Sequence, residues 1–183
     1  AERHDEAEQM HLQALAAARD AYGEDNPATT RFMDGLAAHY NARKQYRKAF
    51  EVCDEAIVVR EKAFGRNHLE VANALQSAAG VLYAMKDSGK CERYLMRSHE
   101  ICVEALGEEH PSTVMCGNSM VAFYSGTEQY DKALSMSERI LAVMEKKLRP
   151  GDRNLAIGLE NHAWLLRKLG RNDEASRLSE RAS

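Results

Sequence analysis

Histidine and cysteine are the side chains of this chain with the widest chemical range, as metal ligands, acid–base groups and nucleophiles. His99 and Cys102 stand three residues apart, a spacing that puts both on one face of a helix and offers two ligands to a zinc-like ion. Cys91 lies 11 residues before Cys102, which is about 16 Å of helix at roughly 1.5 Å per residue, too far to share the ion. No third ligand follows, so no metal and no cofactor is expected. His68 and His110 precede Leu69 and Pro111 at equivalent places in two similar loops. That equivalence makes them parts of a repeated structural element, not a catalytic pair. The cysteines Cys53, Cys91, Cys102 and Cys116 include no C-x-x-C pair and suit reduced thiols used as small buried hydrophobes in the cytoplasm. A G-x-S-x-G elbow, a phosphate-cradling glycine loop and an H-E-x-x-H pair are absent from the sequence. Enzymatic activity is therefore not expected.

Composition says what kind of elements carry these residues. Of 183 residues 44% are apolar and 29% charged, with 11 Gly and only 3 Pro, which favours a folded, helical protein over a β-rich or disordered one. A net charge of −3 supplies no basic field for nucleic acid and no polybasic face for a membrane. The longest apolar run, Ala78 to Met85, is eight residues counting Gly80, against the roughly 20 needed to cross a bilayer. The opening Ala-Glu-Arg-His-Asp has neither the basic start nor the apolar stretch of a signal peptide. With no initiator Met, it reads as the start of a trimmed fragment.

A repeat organises the chain. The segments Tyr22-Gly-Glu-Asp-Asn-Pro27, Phe64-Gly-Arg-Asn-His-Leu69 and Leu106-Gly-Glu-Glu-His-Pro111 follow one another at a step of 42, and the next step reaches the diverged Leu148-Arg-Pro-Gly-Asp152. The same step relates Ala37, Ala79, Val121 and Ala163, and relates Ala7, Ala49, Cys91, Ala133 and Ala175. Within a unit, Met33, Leu36, Ala37 and Tyr40 share one helical face, as do Ala49, Val52, Cys53, Ala56 and Ile57. Gly23, Gly65 and Gly107 suit left-handed caps that end the second helix. Pro27 and Pro111 suit the first turn of the next helix, with Asn26 or Asp152 as N-caps. Each unit is thus two helices and a capped loop.

The pattern Met33-x2-Leu36-Ala37-x2-Tyr40, then Ala49-x3-Cys53 and Ala56, resembles the tetratricopeptide repeat at the same internal spacings. The longer period, with the surplus falling at the end of the second helix and in the Gly-x-x-His-Pro loop, looks like the kinesin light chain type. The heptad region that binds a heavy chain is not in the sequence, so kinesin itself is not inferred. The resemblance implies an all-α, right-handed superhelical solenoid over residues 1–183. Residues 1–21 would be an orphan second helix, 22–63, 64–105 and 106–147 full repeats, and 148–183 a last, diverged repeat. It also implies a concave groove lined by the first helices, whose row holds Arg31, Asp34, Ala38 and Asn41; Asn73, Gln76, Gly80 and Tyr83; Met115, Asn118, Ala122 and Ser125; and Ile157, Glu160, Trp164 and Arg167. The paired Asn of that repeat type read here Asp34-Gly35, Gln76-Ser77, Asn118-Ser119 and Glu160-Asn161. The expected peptide contacts are Arg31, Asp34, Asn73, Gln76, Tyr83, Asn118, Trp164 and Arg167. A carboxylate clamp is not expected, because Arg31 and scattered amides do not supply its cations.

Amides and hydroxyls in the middle of the row can pair with a ligand backbone yet be solvated when the groove is empty. Trp164, where the earlier units have Ala38, Gly80 and Ala122, suits either a core position or a binding anchor. In the second case Arg167 and Lys168 would complete an end pocket for an aromatic or acidic ligand residue. The apolar side of residues 1–21, with Ala7, Met10, Ala14, Leu15 and Ala18, should be uncovered and open to self-association, whereas Asn172 to Ser183 reads as a polar cap. The expected function is non-catalytic capture of an extended peptide or partner segment in the groove. The alternative is a structural or oligomerisation scaffold in a larger signalling or assembly protein, with contacts made through the solenoid ends.

Overall fold

In the computed structural model, which describes residues 2–149 and 151–182, the 42-residue step appears as alternating first and second helices. The order is α1 (Glu2–Tyr22), α2 (Thr30–Ala42), α3 (Tyr46–Phe64), α4 (Leu69–Ala84), α5 (Ser88–Leu106), α6 (Pro111–Gly126), α7 (Tyr130–Lys147), α8 (Arg153–Lys168) and α9 (Asn172–Ala182). A 3₁₀ turn, Pro27–Thr29, precedes α2, and no strand occurs among the described residues. The even-numbered helices are the first of each pair. Of the diverged loop Leu148–Asp152, Pro150 lies outside the described residues.

Each helix boundary recurs because one backbone requirement recurs. His68, His110 and Asp152 cap α4, α6 and α8, and Asn26, on the same row spaced by 42, caps the 3₁₀ turn before α2. Asn26 Oδ1 accepts from the Ala28 N–H at 2.9 Å, and Asp152 Oδ1 accepts from the Asn154 N–H at 2.8 Å. His68 Nδ1 accepts from the Glu70 N–H at 3.2 Å, and His110 Nδ1 from the Ser112 N–H at 3.1 Å. The histidines that the loop spacing marks as structural are thus N-caps. Pro111 opens α6 as expected, but Pro27 opens the 3₁₀ turn and α2 begins only at Thr30. At the other end, Gly65 has φ 88° and ψ 159°, an extended region that only glycine enters freely and not the left-handed helical cap expected from sequence. A second row closes the first helices. Lys44, Lys86 and Glu128 have φ near +60° and Gly170 has φ +76°, while the next residue donates back to Tyr40, Leu82, Tyr124 and Leu166 carbonyls at 2.8–3.0 Å. This is the Schellman arrangement.

The chain forms two compact units, Ala1–Ile101 and Cys102–Ser183. In the first, α1 packs on α2, α2 on α3 and α3 on α4. Its core takes the apolar faces anticipated from the period: Met33, Leu36, Ala37 and Tyr40 from α2, Ala49, Cys53, Ala56 and Ile57 from α3, and Leu75 and Leu82 from α4. Val52 is half-buried. Each large aliphatic side chain withdrawn from water contributes roughly 1.5–3 kcal/mol. The α1 side expected to be uncovered is mostly covered, because α1 packs on α2: Leu15 and Ala18 are buried, Ala7 and Ala14 are half-buried, and of that side only Met10 is well exposed, at 70%, with Leu12 beside it at 45%.

In the second unit, α6 packs on α7, α7 on α8 and α8 on α9. Ala133, Ala163 and Ala175 are completely buried, so small residues set how closely these helices approach. Leu141, Leu155 and Leu159 form a cluster joined by Met144, Leu148, Leu178 and Ala182. The C-terminal helix is therefore polar outside but packs through Leu178 and Ala182. His162 is buried with its Nδ1 3.0 Å from Ser137 Oγ, and burial holds its pKa below the usual histidine range.

Candidate functional site

The groove-row positions lie on the exposed side of α2, α4, α6 and α8, opposite the faces that pack into the core. Arg31, Asp34, Asn73, Tyr83, Asn118, Trp164 and Arg167 are exposed, and Gln76 is half-buried. What lies behind each one decides whether it is available.

In the first unit the protein supplies its own partners. Asp34 accepts both guanidinium arms of Arg60, at 3.2 and 2.5 Å, and Arg60 is buried with Glu70 3.7 Å from its Nε. Gln76 Nε2 donates to Ser98 Oγ at 3.1 Å, and that buried hydroxyl donates on to the Ala72 carbonyl at 2.9 Å. The Asn73 carbonyl accepts the Ser77 hydroxyl at 3.3 Å. Tyr83 is 47% exposed.

In the second unit the row opens on a cavity of about 550 Å³, bounded by α6 and α8 with Met144 of α7 beneath. Asn118, Ala122 and Ser125 of α6 face Asn154, Ile157, Asn161 and Trp164 of α8 across it. Trp164 is 43% exposed and meets Tyr130 edge-on at 6.0 Å. The Lys168 ammonium sits 5.3 Å from the Trp164 ring and 5.9 Å from that of Tyr130, within the range of a cation–π attraction. Arg167 donates to Ser179 Oγ at 2.6 Å and stands 3.9 Å from Glu160. Neither Arg167 nor Lys168 lines the cavity, so the end pocket foreseen around Trp164 is walled by amides and apolar groups.

One row of second-helix residues explains the contrast. Arg60, Cys102 and Met144 are related by the step of 42. Arg60 fills its position and holds Asp34, whereas Met144 forms the floor of an open space. Val121, Met144, Asn154, Gly158, Asn161 and Leu165 line the cavity beyond the sequence-based row. Gly158 in mid-helix is the signal that could have found them, because a Cβ there would lie 3.1 Å from Met144 Sδ.

The other reactive groups are closed off. All four cysteines are free and buried. Burial pushes the Cys53 and Cys91 thiols up to about 11, and burial together with the Cys116 contact pushes Cys102 up to about 12. Such thiols are protonated at neutral pH and poor nucleophiles. Among the described residues no three His, Cys, Asp or Glu side chains are grouped to hold a metal ion, and no helix is long and apolar enough to cross a membrane.

Comparison with known proteins agrees with this fold. Family models of the tetratricopeptide repeat match residues 30–90 and 116–183, and another matches residues 1–28. The human clustered mitochondria protein homolog is 23% identical over 150 residues, 82% of this chain but only 11% of that protein's length. Among solved structures, the nearly identical TPR-like repeats of a Podosopora anserina protein assigned as a kinesin light chain superpose with a TM-score of 0.85 at 21% identity, covering 98% of this chain and 85% of that one. BtubC (BKLC) from P. vanneervenii gives 0.83 at 21% identity, covering 98% and 72%. The all-helical fold is that of tetratricopeptide solenoids.

Proposed function

Because the chain belongs to the tetratricopeptide repeat family, we propose that it is a non-catalytic protein-interaction module that captures an extended peptide or partner segment on the exposed face of its first helices. The observation that carries this is the α6–α8 cavity, where the Asn118 and Asn161 amides make no hydrogen bond with another described residue beside a half-exposed Trp164. Free amides can bind a ligand backbone in either donor or acceptor sense, and a large aromatic surface gives an anchor. Asn118 and Trp164 are the central contacts, with Arg167 on the same row of the second unit; Arg31, Asp34, Asn73, Gln76 and Tyr83 form the first unit's own row and add weak contacts. The stretch shared with the human relative is a small part of that protein, which supports an interaction module within longer chains. Four buried, unbridged cysteines support a cytoplasmic setting.

Panning a random peptide library on the protein tests the role. Binders should be recovered, and Asn118→Ala with Trp164→Ala should abolish their binding while the circular dichroism spectrum is unchanged. Failure to recover any binder would shift the function to the second reading, contact through the ends. Met10 and Leu12, exposed on α1, favour that reading, and a mass that rises with concentration in sedimentation would support self-association there.

A further inference from the structure

Resting on the groove-binding role proposed above, we infer that the α6–α8 cavity selects an uncharged segment carrying an apolar anchor side chain and rejects one with a carboxylate beside the anchor. None of the residues lining the cavity is ionisable. Val121, Ile157, Leu165 and Trp164 provide apolar wall, and the Asn118 and Asn161 amides provide hydrogen-bonding groups for a backbone. The cation nearest in sequence, Arg153 beside Asn154, is exposed and is not among the lining residues. Lys168 lies over the Trp164 and Tyr130 rings, and Arg167 is held by Ser179 and Glu160. A ligand carboxylate entering this space would lose water without gaining a counterion, a penalty an apolar or amide group does not carry.

The floor sets which anchors fit. A Cβ at position 158 would stand 3.1 Å from Met144 Sδ and 3.2 Å from its Cε. The residues equivalent to Gly158 in the other repeats are Phe32, Ala74 and Cys116, so the missing side chain is particular to the last repeat. It lets Met144 lie against the α8 backbone, beneath the cavity. A methionine floor is soft and adapts its rotamers, so Leu, Ile, Met and Phe anchors should be tolerated alike.

The test uses a random heptapeptide library displayed on phage, panned on the protein, keeping only binders lost on Asn118→Ala. These should share an apolar anchor with no Asp or Glu at the adjoining positions. Placing Asp next to the anchor in the consensus peptide should weaken binding by about tenfold or more, measured by fluorescence anisotropy. Asn161→Lys, at an exposed site, should restore the Asp-bearing peptide about tenfold without changing the melting temperature. Gly158→Ala should weaken Phe anchors more than Leu anchors. Asn118-sensitive binders rich in Asp or Glu would overturn the charge selection and leave the groove role standing. An absence of Asn118-sensitive binders would remove the groove role, and the selectivity with it.

Discussion

In the first unit two positions of the first-helix row are engaged by the protein's own groups, Asp34 by Arg60 and Gln76 by Ser98. In the second the same row opens on a cavity flanked by Asn118 and Trp164. The helical period is identical in both, so period alone does not set whether the row is closed or open. The second helix behind the row does, through what stands at one position: Arg60 with its buried guanidinium, or Met144 as a neutral floor. At the neighbouring row, Ser98 offers a hydroxyl to Gln76 where its equivalent Ile140 offers none.

Row residues of the first unit should therefore matter to stability and those of the second to binding. The largest difference should come from Asp34→Ala. It leaves a buried guanidinium facing only Glu70 at 3.7 Å, and it should cost about 2 kcal/mol in urea unfolding, less than for a fully buried pair because half of the Asp34 side chain is solvated. Asn118→Ala should cost under about 0.5 kcal/mol in the same experiment. Equal costs would erase the distinction. Gln76→Ala should lose about 1 kcal/mol, one hydrogen bond to a buried hydroxyl that keeps its other partner.

A titration addresses the second unit alone. Burial is the main reason the His162 pKa lies below 6.5, with Glu138, Glu145 and Glu174 opposing the shift and Arg171 adding to it. Between its lowered folded value and 6.5 the unfolded chain binds more protons than the folded one, so stability rises with pH there. The contribution is complete above about pH 6.5 and is lost as pH falls through that window. Thermal melts from about pH 7 to about pH 5 should show that fall, and His162→Gln should reduce it. A small effect of opposite sign is expected at the left-handed turn. Lys86→Gly should stabilise by about 0.5 kcal/mol, because a lysine at φ 61° carries a Cβ penalty that outweighs the extra freedom of glycine when unfolded.

The fold was legible because glycine marks one row, at 23, 65 and 107, and no other residue is comfortable there. The second turn row, at 44, 86, 128 and 170, was hidden because its first three members are Lys, Lys and Glu. Histidine caps were visible as repeated residues but not as caps, since imidazole nitrogen is not among the usual capping acceptors. Exposure of the groove row followed from the resemblance to the tetratricopeptide repeat. The cavity did not, because Met144 and Gly158 come together from two helices, and the Asp34–Arg60 pair likewise joins side chains on different helices.

The most direct measurement compares two double variants for binding of the peptides recovered by panning. Asn118→Ala with Trp164→Ala should abolish binding, whereas Asn73→Ala with Tyr83→Ala should leave the dissociation constant within about threefold of wild type. Loss of binding in the second pair with retention in the first would move the seat to the first unit and contradict the assignment of the α6–α8 cavity.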